Sequence, residues 1–338
     1  MIARYFACLL TIASLAGPAT AAVVTPGNIL VMDQTTSSIR EFSTSGVFVQ
    51  SFAVSPAAGA GSSDVPRDLV VDTIGNMHVF NGTFTPSLST INQVTSAQVD
   101  RNGPGTGFAS ANATNRGGIA AIGSNVFVAD APIGARNEKG IIRFEAGNGF
   151  ATTRFGTDFI ANDLTFGADG RLYALGTESP AATASPGHIN VYDPNSLARV
   201  DQIVLPSATQ AMSLRGVAAD GTGNMFAVIG TGSVLRLDAS GAVVGSLSII
   251  GANDLYDIDI DVNGNLLTTG TDSNVHLTNT GFTSQTSFLA AGSPSVPAPR
   301  MFATFATPVQ AVPEPSTWIA LLFCGAIACK RRRRVASV

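Results

Sequence analysis

Short apolar strands separated by polar turns recur along the chain from about residue 28 to residue 306. The two clearest copies run from Arg67 to Phe80 and from Arg215 to Val228. In each copy an apolar run is followed by a turn containing Asp, Gly and Asn, and then by a second apolar run. Alternating runs bounded by such turns are typical of β-strands. The pattern therefore predicts an all-β body built from repeated strand pairs.

The repeats have a nearly regular spacing. Five copies begin at positions 67, 116, 162, 215 and 256, and a second strand pair follows them, as in Gly140–Glu145 and Phe150–Phe155. Four strands in a period of this length are typical of the blades of a β-propeller. The first repeat lacks its opening strand, but Arg300–Ala306 occupies the next slot after the last complete repeat. We expect a six-bladed β-propeller over residues 23–306 that is closed by the C-terminal strand, because closure removes open sheet edges. A seven-bladed ring and a pair of β-sandwiches are the alternative architectures.

One turn motif gives the repeats a family resemblance. The sequence Asp-x-x-Gly-Asn occurs at Asp72–Asn76, Asp220–Asn224 and Asp261–Asn265, each time between two apolar strands. This arrangement resembles the repeats of NHL-type six-bladed propellers. The resemblance covers about residues 27–306 and implies the same architecture.

Residues 1–22 have the features of a secretory signal peptide. Arg4 provides a positive start, Tyr5–Ala16 is apolar, and Ala19-Thr20-Ala21 has the small residues of a cleavage site. The apolar stretch is short for a membrane span. We therefore expect export, with cleavage after Ala21 or Ala22.

The C-terminal 32 residues divide into three parts. A proline-rich stalk at 307–315 contains Pro313, Glu314 and Pro315, an apolar segment follows at 316–329, and a basic tail occupies 330–338. An apolar segment with a basic cluster behind it stops in the inner membrane, with the basic end inside the cell. The membrane-stop residues are Arg331, Arg332, Arg333 and Arg334.

The order of these parts resembles the PEP-CTERM sorting domain, with Pro313-Glu314-Pro315 as its signature. The resemblance implies a transmembrane sorting helix and an exosortase partner in a Gram-negative bacterium that makes exopolysaccharide. It also implies that the protein is held transiently at the inner membrane and then released to the cell envelope, the matrix or a biofilm. The alternative is an ordinary C-terminal membrane anchor.

Composition excludes several kinds of site from the body. All three cysteines, Cys8, Cys324 and Cys329, lie in the end segments, so residues 23–312 hold no disulfide, cysteine-ligated metal or cysteine nucleophile. Without the end segments the chain keeps 13 basic and 22 acidic residues, a formal charge of −9. Nucleic-acid binding requires a basic face, so no nucleic-acid partner is expected.

Propeller symmetry predicts a ring of side chains around the central channel. The opening residues of the six inner strands are Arg67, Arg116, Asn162, Arg215, Tyr256 and Arg300. Guanidinium groups bind carboxylates and phosphates through paired donors, so this ring predicts a site for an acidic small ligand or an exopolysaccharide. In the alternative interpretation each arginine braces a neighbouring blade, through Asp68, Asp163 or Asp257.

A second resemblance concerns catalysis. The segments that begin at Asn162 and Asp257 are similar to those around the metal-binding Asn and Asp of six-bladed lactonases of the gluconolactonase type. This resemblance implies a divalent metal held by Asn162 and Asp257. Separately, Asp257, Asp259 and Asp261 alternate along one predicted strand, which leaves a looser Ca²⁺ site open as an alternative to turn-forming Asp and Asn residues. The early Glu of that family has no counterpart, because Glu41 lies in a third strand. We therefore predict an exported binding or scaffold module without assigned catalytic residues, and keep an extracytoplasmic lactonase-like hydrolase as the alternative.

Overall fold

The computed structural model describes most of the body of the chain. It covers residues 24–306 except 34–37, 56–65, 83–85, 103–107, 109–116, 131–138, 178–186, 207–213, 221, 253, 271, 273 and 290–300. The signal peptide, the stalk with Pro313, Glu314 and Pro315, the sorting segment and the basic tail lie outside the described residues. Within the described part of the chain, no helix has both the length and the apolar character that a membrane span requires.

Six four-stranded antiparallel sheets make up the described body, and each sheet is one blade. Inner to outer, blade 1 contains β24 (Met301–Phe305), β1 (Ile29–Asp33), β2 (Ser38–Phe42) and β3 (Phe48–Ala53); blade 2 contains β4 (Pro66–Val71), β5 (Asn76–Asn81), β6 (Ser87–Asn92) and β7 (Gln98–Asn102); and blade 3 contains β8 (Ile119–Ile122), β9 (Asn125–Asp130), β10 (Gly140–Glu145) and β11 (Ala151–Phe155).

The remaining three blades repeat this order. Blade 4 contains β12 (Ile160–Phe166), β13 (Leu172–Thr177), β14 (His188–Tyr192) and β15 (Arg199–Val204); blade 5 contains β16 (Leu214–Ala219), β17 (Met225–Ile229), β18 (Ser233–Leu237) and β19 (Val243–Ser248); and blade 6 contains β20 (Leu255–Ile260), β21 (Asn265–Gly270), β22 (Asn274–Asn279) and β23 (Gln285–Leu289). The six-bladed architecture is thus confirmed. One short 3-10 helix, Ala146–Asn148, joins β10 to β11.

The ring closes as the repeat pattern predicts. β24 pairs with β1 in an antiparallel ladder that runs from Ile29↔Phe305 to Asp33↔Met301. The C-terminal strand is therefore the inner strand of the first blade. Blade 1 gains its fourth strand only when both ends of the body meet, so closure depends on a contact between the first and last strands of the body.

The hydrophobic core lies between neighbouring blades. Successive residues of a strand point to opposite sheet faces, so the continuous buried runs of β5, β9 and β17 place apolar side chains on both faces. The faces of adjacent blades then pack together. The contact between blades 2 and 3 shows the pattern, because Phe80 and Leu88 pack with Val128 and Phe144, all without solvent exposure. Equivalent clusters lie at the other five contacts between blades.

The Asp-x-x-Gly-Asn motif forms the turn between the first two strands of a blade. In blade 2 the Asp72 carboxylate accepts hydrogen bonds from the backbone amides of Ile74 and Asn76, at 3.1 and 2.8 Å. Gly75 has a φ of +88°, a conformation that glycine adopts without steric cost. Asp220 and Asp261 hold the same turn in blades 5 and 6.

Candidate functional site

Three aspartates on alternate inner strands point into the channel. Asp68, Asp163 and Asp257 occupy equivalent positions on β4, β12 and β20 and are between 6% and 7% exposed. Each accepts a hydrogen bond from a backbone amide of the next blade, at 2.7 to 2.8 Å, and the donors are Ile119, Val217 and Ala303 respectively. The three carboxyls therefore tie blade 2 to 3, blade 4 to 5 and blade 6 to 1.

The positions between these aspartates are occupied by smaller or apolar residues. Gly118 and Gly216 stand at two of them, and Phe302 stands at the third. A Cβ atom on Gly118 would lie 1.8 Å from the Asp163 Oδ1, so glycine is what leaves room for this carboxyl. The channel wall therefore alternates between acidic and non-acidic positions from blade to blade.

Burial changes the acidity of the three aspartates. Burial, followed by repulsion from Asp257 and Asp163, raises the pKa of Asp68 well above its ordinary value. Burial and the charge of Asp257 likewise raise the pKa of Asp163. For Asp257, burial outweighs the hydrogen bond from Ala303 and raises the pKa to about 7. This carboxyl therefore keeps its proton to a higher pH than an exposed aspartate does, and a protonated carboxyl can donate a hydrogen bond.

A small cavity of about 80 Å³ opens on one side of the carboxyls, and we call it the mouth pocket. Four of the six predicted ring residues line it together: Arg67, Asn162, Arg215 and Tyr256. Asp68, Asp163, Asp257 and Phe302 also contribute to its lining.

Neighbouring groups hold the two arginines of the mouth pocket in place. The Arg215 guanidinium carbon lies 4.2 Å from the centre of the Tyr256 ring, and its Nη2 is 3.5 Å from the Asp254 carboxylate. Tyr256 donates its hydroxyl hydrogen bond to the same carboxylate at 2.6 Å. Arg67 donates from Nε to the Gly82 carbonyl at 2.7 Å. Arg215 thus braces the next blade through Asp254 and Tyr256. These partners differ from Asp68, Asp163 and Asp257, the ones that the sequence suggested.

The remaining two predicted ring residues, Arg116 and Arg300, lie outside the described residues. The hydrogen bonds between blades show which backbone positions match Arg67. Because Ile119 and Ala303 occupy the position of Leu69, the residues equivalent to Arg67 are Gly117 and Met301. Arg116 and Arg300 each precede that position by one residue.

A larger cavity of about 440 Å³ lies on the other side of the three aspartates, and we call it the rear cavity. It shares Asp68, Asp163 and Asp257 with the mouth pocket, so the carboxyls separate the two spaces. Its walls are mainly apolar. Asp259 also lines it and accepts hydrogen bonds from Phe305 N and Thr304 Oγ1, at 2.9 and 2.7 Å.

The described residues do not fit the divalent metal of the lactonase interpretation. Asn162 and Asp257 do line one pocket, but within the described part of the chain no three His, Cys, Asp or Glu side chains are placed to hold a metal ion. Glu41 is fully buried in blade 1, where its carboxylate accepts hydrogen bonds from Thr25 N, Asn28 and Gln50. It is therefore committed to holding the N-terminal segment of the body.

Comparison with known proteins places the fold and leaves the family open. No family model matches the chain, and no curated protein matches it. Among solved structures, a streptogramin B lyase matches with a TM-score of 0.54 at 12% identity, over 85% of this chain and 89% of that chain. The virginiamycin B lyase from Staphylococcus aureus matches at 0.53 and 12%, over 80% and 84%. A protein of unknown function from Bacteroides caccae matches at 0.52 and 10%, over 83% and 98%. At these identities the likeness supports the propeller fold alone.

Sequence reasoning assigned Asp68 and Asp163 only as partners for arginines, and Asp257 as such a partner or as a metal ligand. A signal for their actual position was present, because Asp follows the opening residue at 68, 163 and 257, whereas Gly stands at 118 and 216. This alternation indicates carboxyls that need glycines beside them. The alternation of Asp and Gly can be recognised only after the inner strands have been aligned by the hydrogen bonds between blades.

Proposed function

We propose that this protein is an exported, exosortase-sorted component of the cell envelope or exopolysaccharide matrix whose propeller binds an acidic group of a polysaccharide in the mouth pocket. The observation that carries the proposal is the convergence of Arg67, Arg215, Asn162 and Tyr256 on one pocket. Two guanidinium groups attract a carboxylate, and the amide and hydroxyl groups suit sugar hydroxyls.

The dimensions and charges of the pocket favour an end group over a whole sugar. Pockets that enclose a small ligand usually have volumes of about 300 to 1,000 Å³, well above that of the mouth pocket. A polymer that inserts one carboxylate while its chain stays outside fits this space. The raised pKa values of Asp68, Asp163 and Asp257 reduce their negative charge, and this lowers the repulsion that an acidic group would meet there.

Arg67→Ala and Arg215→Ala are each expected to weaken binding of polygalacturonate by about tenfold or more, because a hydrogen bond to a charged group contributes about 1.5 to 3 kcal/mol. Arg215→Lys should also lose most of the affinity, since lysine cannot offer the planar fork. Affinity is measured by isothermal titration calorimetry, with neutral dextran as the comparison polymer.

Arg171→Ala is the matched control, because the Arg171 side chain is 53% exposed and lies outside the mouth pocket. It removes the same charge and should leave the affinity unchanged. Equal loss in all three alanine variants would show a general charge effect, and equal binding of dextran would contradict recognition of an acidic group.

The sorting half of the proposal depends on the C-terminal motif. Replacing Pro313, Glu314 and Pro315 by alanine is expected to keep the protein in the inner membrane as an unprocessed chain, because the apolar segment and basic cluster remain. The measurement is an immunoblot of membrane and extracellular fractions for an epitope placed after residue 22. Release equal to that of the unmodified chain would contradict sorting through the motif.

A further inference from the structure

The rear cavity has the dimensions and lining of a binding site. Its volume of about 440 Å³ falls in the range of pockets that enclose a ligand. Val70, Ala121, Phe166 and Ile260 contribute to its apolar wall. Asp68, Asp163 and Asp257 lie at its inner end, and Asp259 and Asp261 also line it farther along β20 and in the turn that follows. No lysine, arginine or histidine belongs to the described lining. An occupant should therefore be largely apolar and should carry no negative charge.

The body of the chain ends in the wall of this cavity. Phe305 and Ala306 line it, and so do Pro26 and Gly27 from the other end of the body. Two backbone hydrogen bonds fix the exit point, from Gly27 N to the Ala306 carbonyl at 2.9 Å and from Ala306 N to the Asn28 carbonyl at 2.8 Å. Whatever follows Ala306 therefore starts at the wall of the cavity.

The residues that follow have the required chemistry. Positions 307–313 read Thr-Pro-Val-Gln-Ala-Val-Pro, a mainly apolar stretch without charge, and Glu314 is the first charged residue after it. Seven residues extend to about 25 Å, which exceeds the length of about 20 Å of a six-residue inner strand, so the stretch can reach into the cavity. The Gln310 amide can donate hydrogen bonds to carboxyl oxygens.

We propose that residues 307–313 dock in the rear cavity and that Glu314 stays at its rim. A carboxylate inside would face Asp259 and the other acidic side chains without a compensating cation, and this sets the point at which docking stops. Direct attachment gives the segment a high effective concentration at the cavity, so modest contact energy suffices. The sorting motif is then held against the rear face of the ring, and a processing enzyme must approach that face.

The inference is independent of any ligand in the mouth pocket. Amide hydrogen exchange of the full chain in detergent measures it directly, since docked amides exchange at least about tenfold more slowly than those of an unstructured segment. Gln310→Glu should abolish this protection by placing a second acid against the aspartates. The matched variant Gln310→Lys introduces a charge of opposite sign and should retain it. Neither substitution touches the propeller body, so misfolding of the ring cannot explain a difference between them.

A substitution that fills the rear cavity provides a second test of docking. Ala121→Trp should release residues 307–313, whereas Val244→Trp, on an outer strand where Val244 is 56% exposed, should leave them protected. Exchange of residues 307–313 at the unstructured rate in the unmodified chain would overturn the proposal. Recovery of a bound small apolar molecule from the unmodified chain, with the segment unprotected, would overturn it in favour of an external ligand.

Discussion

A chain that ends after Pro299 is expected to lose the cooperative unfolding transition of the propeller, whereas a chain that ends after Ala306 should keep it. The shorter chain lacks β24, the inner strand of blade 1, and with it the ladder to β1. Phe302 and Phe305 are buried in the closed ring, and burial of a phenylalanine side chain stabilises a fold by about 1.5 to 3 kcal/mol. The backbone donors to two acids disappear as well, because Ala303 N donates to the buried Asp257 and Phe305 N donates to the half-buried Asp259.

These losses approach the whole stability of a typical domain, which is about 5 to 15 kcal/mol. The opened ring would also expose the edge of β1, where other chains could pair and aggregate. Circular dichroism during heating and the soluble fraction after export provide the measurements. Phe305→Ala in the chain that ends after Ala306 tests the contribution of packing separately. It is expected to lower the free energy of unfolding by about 3 to 5 kcal/mol. A sharp transition at an unchanged temperature in the shorter chain would show that the other blades fold without closure.

The fold could be predicted from sequence because its signals are local and repeated. Alternation along strands and the Asp-x-x-Gly-Asn turns mark each strand pair, and the missing first strand has a visible counterpart at residues 300–306. The residue-by-residue alignment of the inner strands was harder to predict from the sequence, because it is set by hydrogen bonds between blades. Arg116 precedes Gly117 and Gly118, and neither glycine has a side chain that marks which position faces the channel.

The mouth pocket could be predicted in part for the same reason. Arg67, Asn162, Arg215 and Tyr256 could be brought together by symmetry alone. The role of Asp254 as the partner of Arg215 could not, since it lies before β20 and meets Arg215 only through the packing of neighbouring blades. The rear cavity depends on the space left between inner strands of five different blades, β4, β8, β12, β20 and β24, and no single repeat encodes that space.

Stability is expected to decrease as the pH rises from about 4 to about 7, and Asp257→Asn should make this decrease smaller. Burial raises the pKa of Asp257 from its ordinary value of 3.8 to about 7, so the folded protein binds this proton more tightly than the unfolded chain. The stabilisation is therefore complete below pH 4 and is lost as the pH rises through the folded pKa. A pKa change of this size corresponds to about 4 kcal/mol. Asp68 and Asp163 have raised pKa values too and act in the same direction.

Other aspartates limit stability at the acidic end. Burial alone would raise the pKa of Asp72, but hydrogen bonds from His78 and Asn76 outweigh it, and the pKa is lowered below 3.8. The contribution of Asp72 to stability is present above pH 4 and is lost below, so the maximum of stability should fall near pH 4 to 5.

Chemical denaturation at a series of pH values measures how stability depends on pH. Asp201→Asn, at an exposed carboxyl, is the control of equal charge change and should keep the wild-type slope between pH 4 and 7. A slope that persists in Asp257→Asn would mean that Asp68 and Asp163 carry the proton linkage, and a wild-type curve that rises over this interval would contradict a protonated channel altogether.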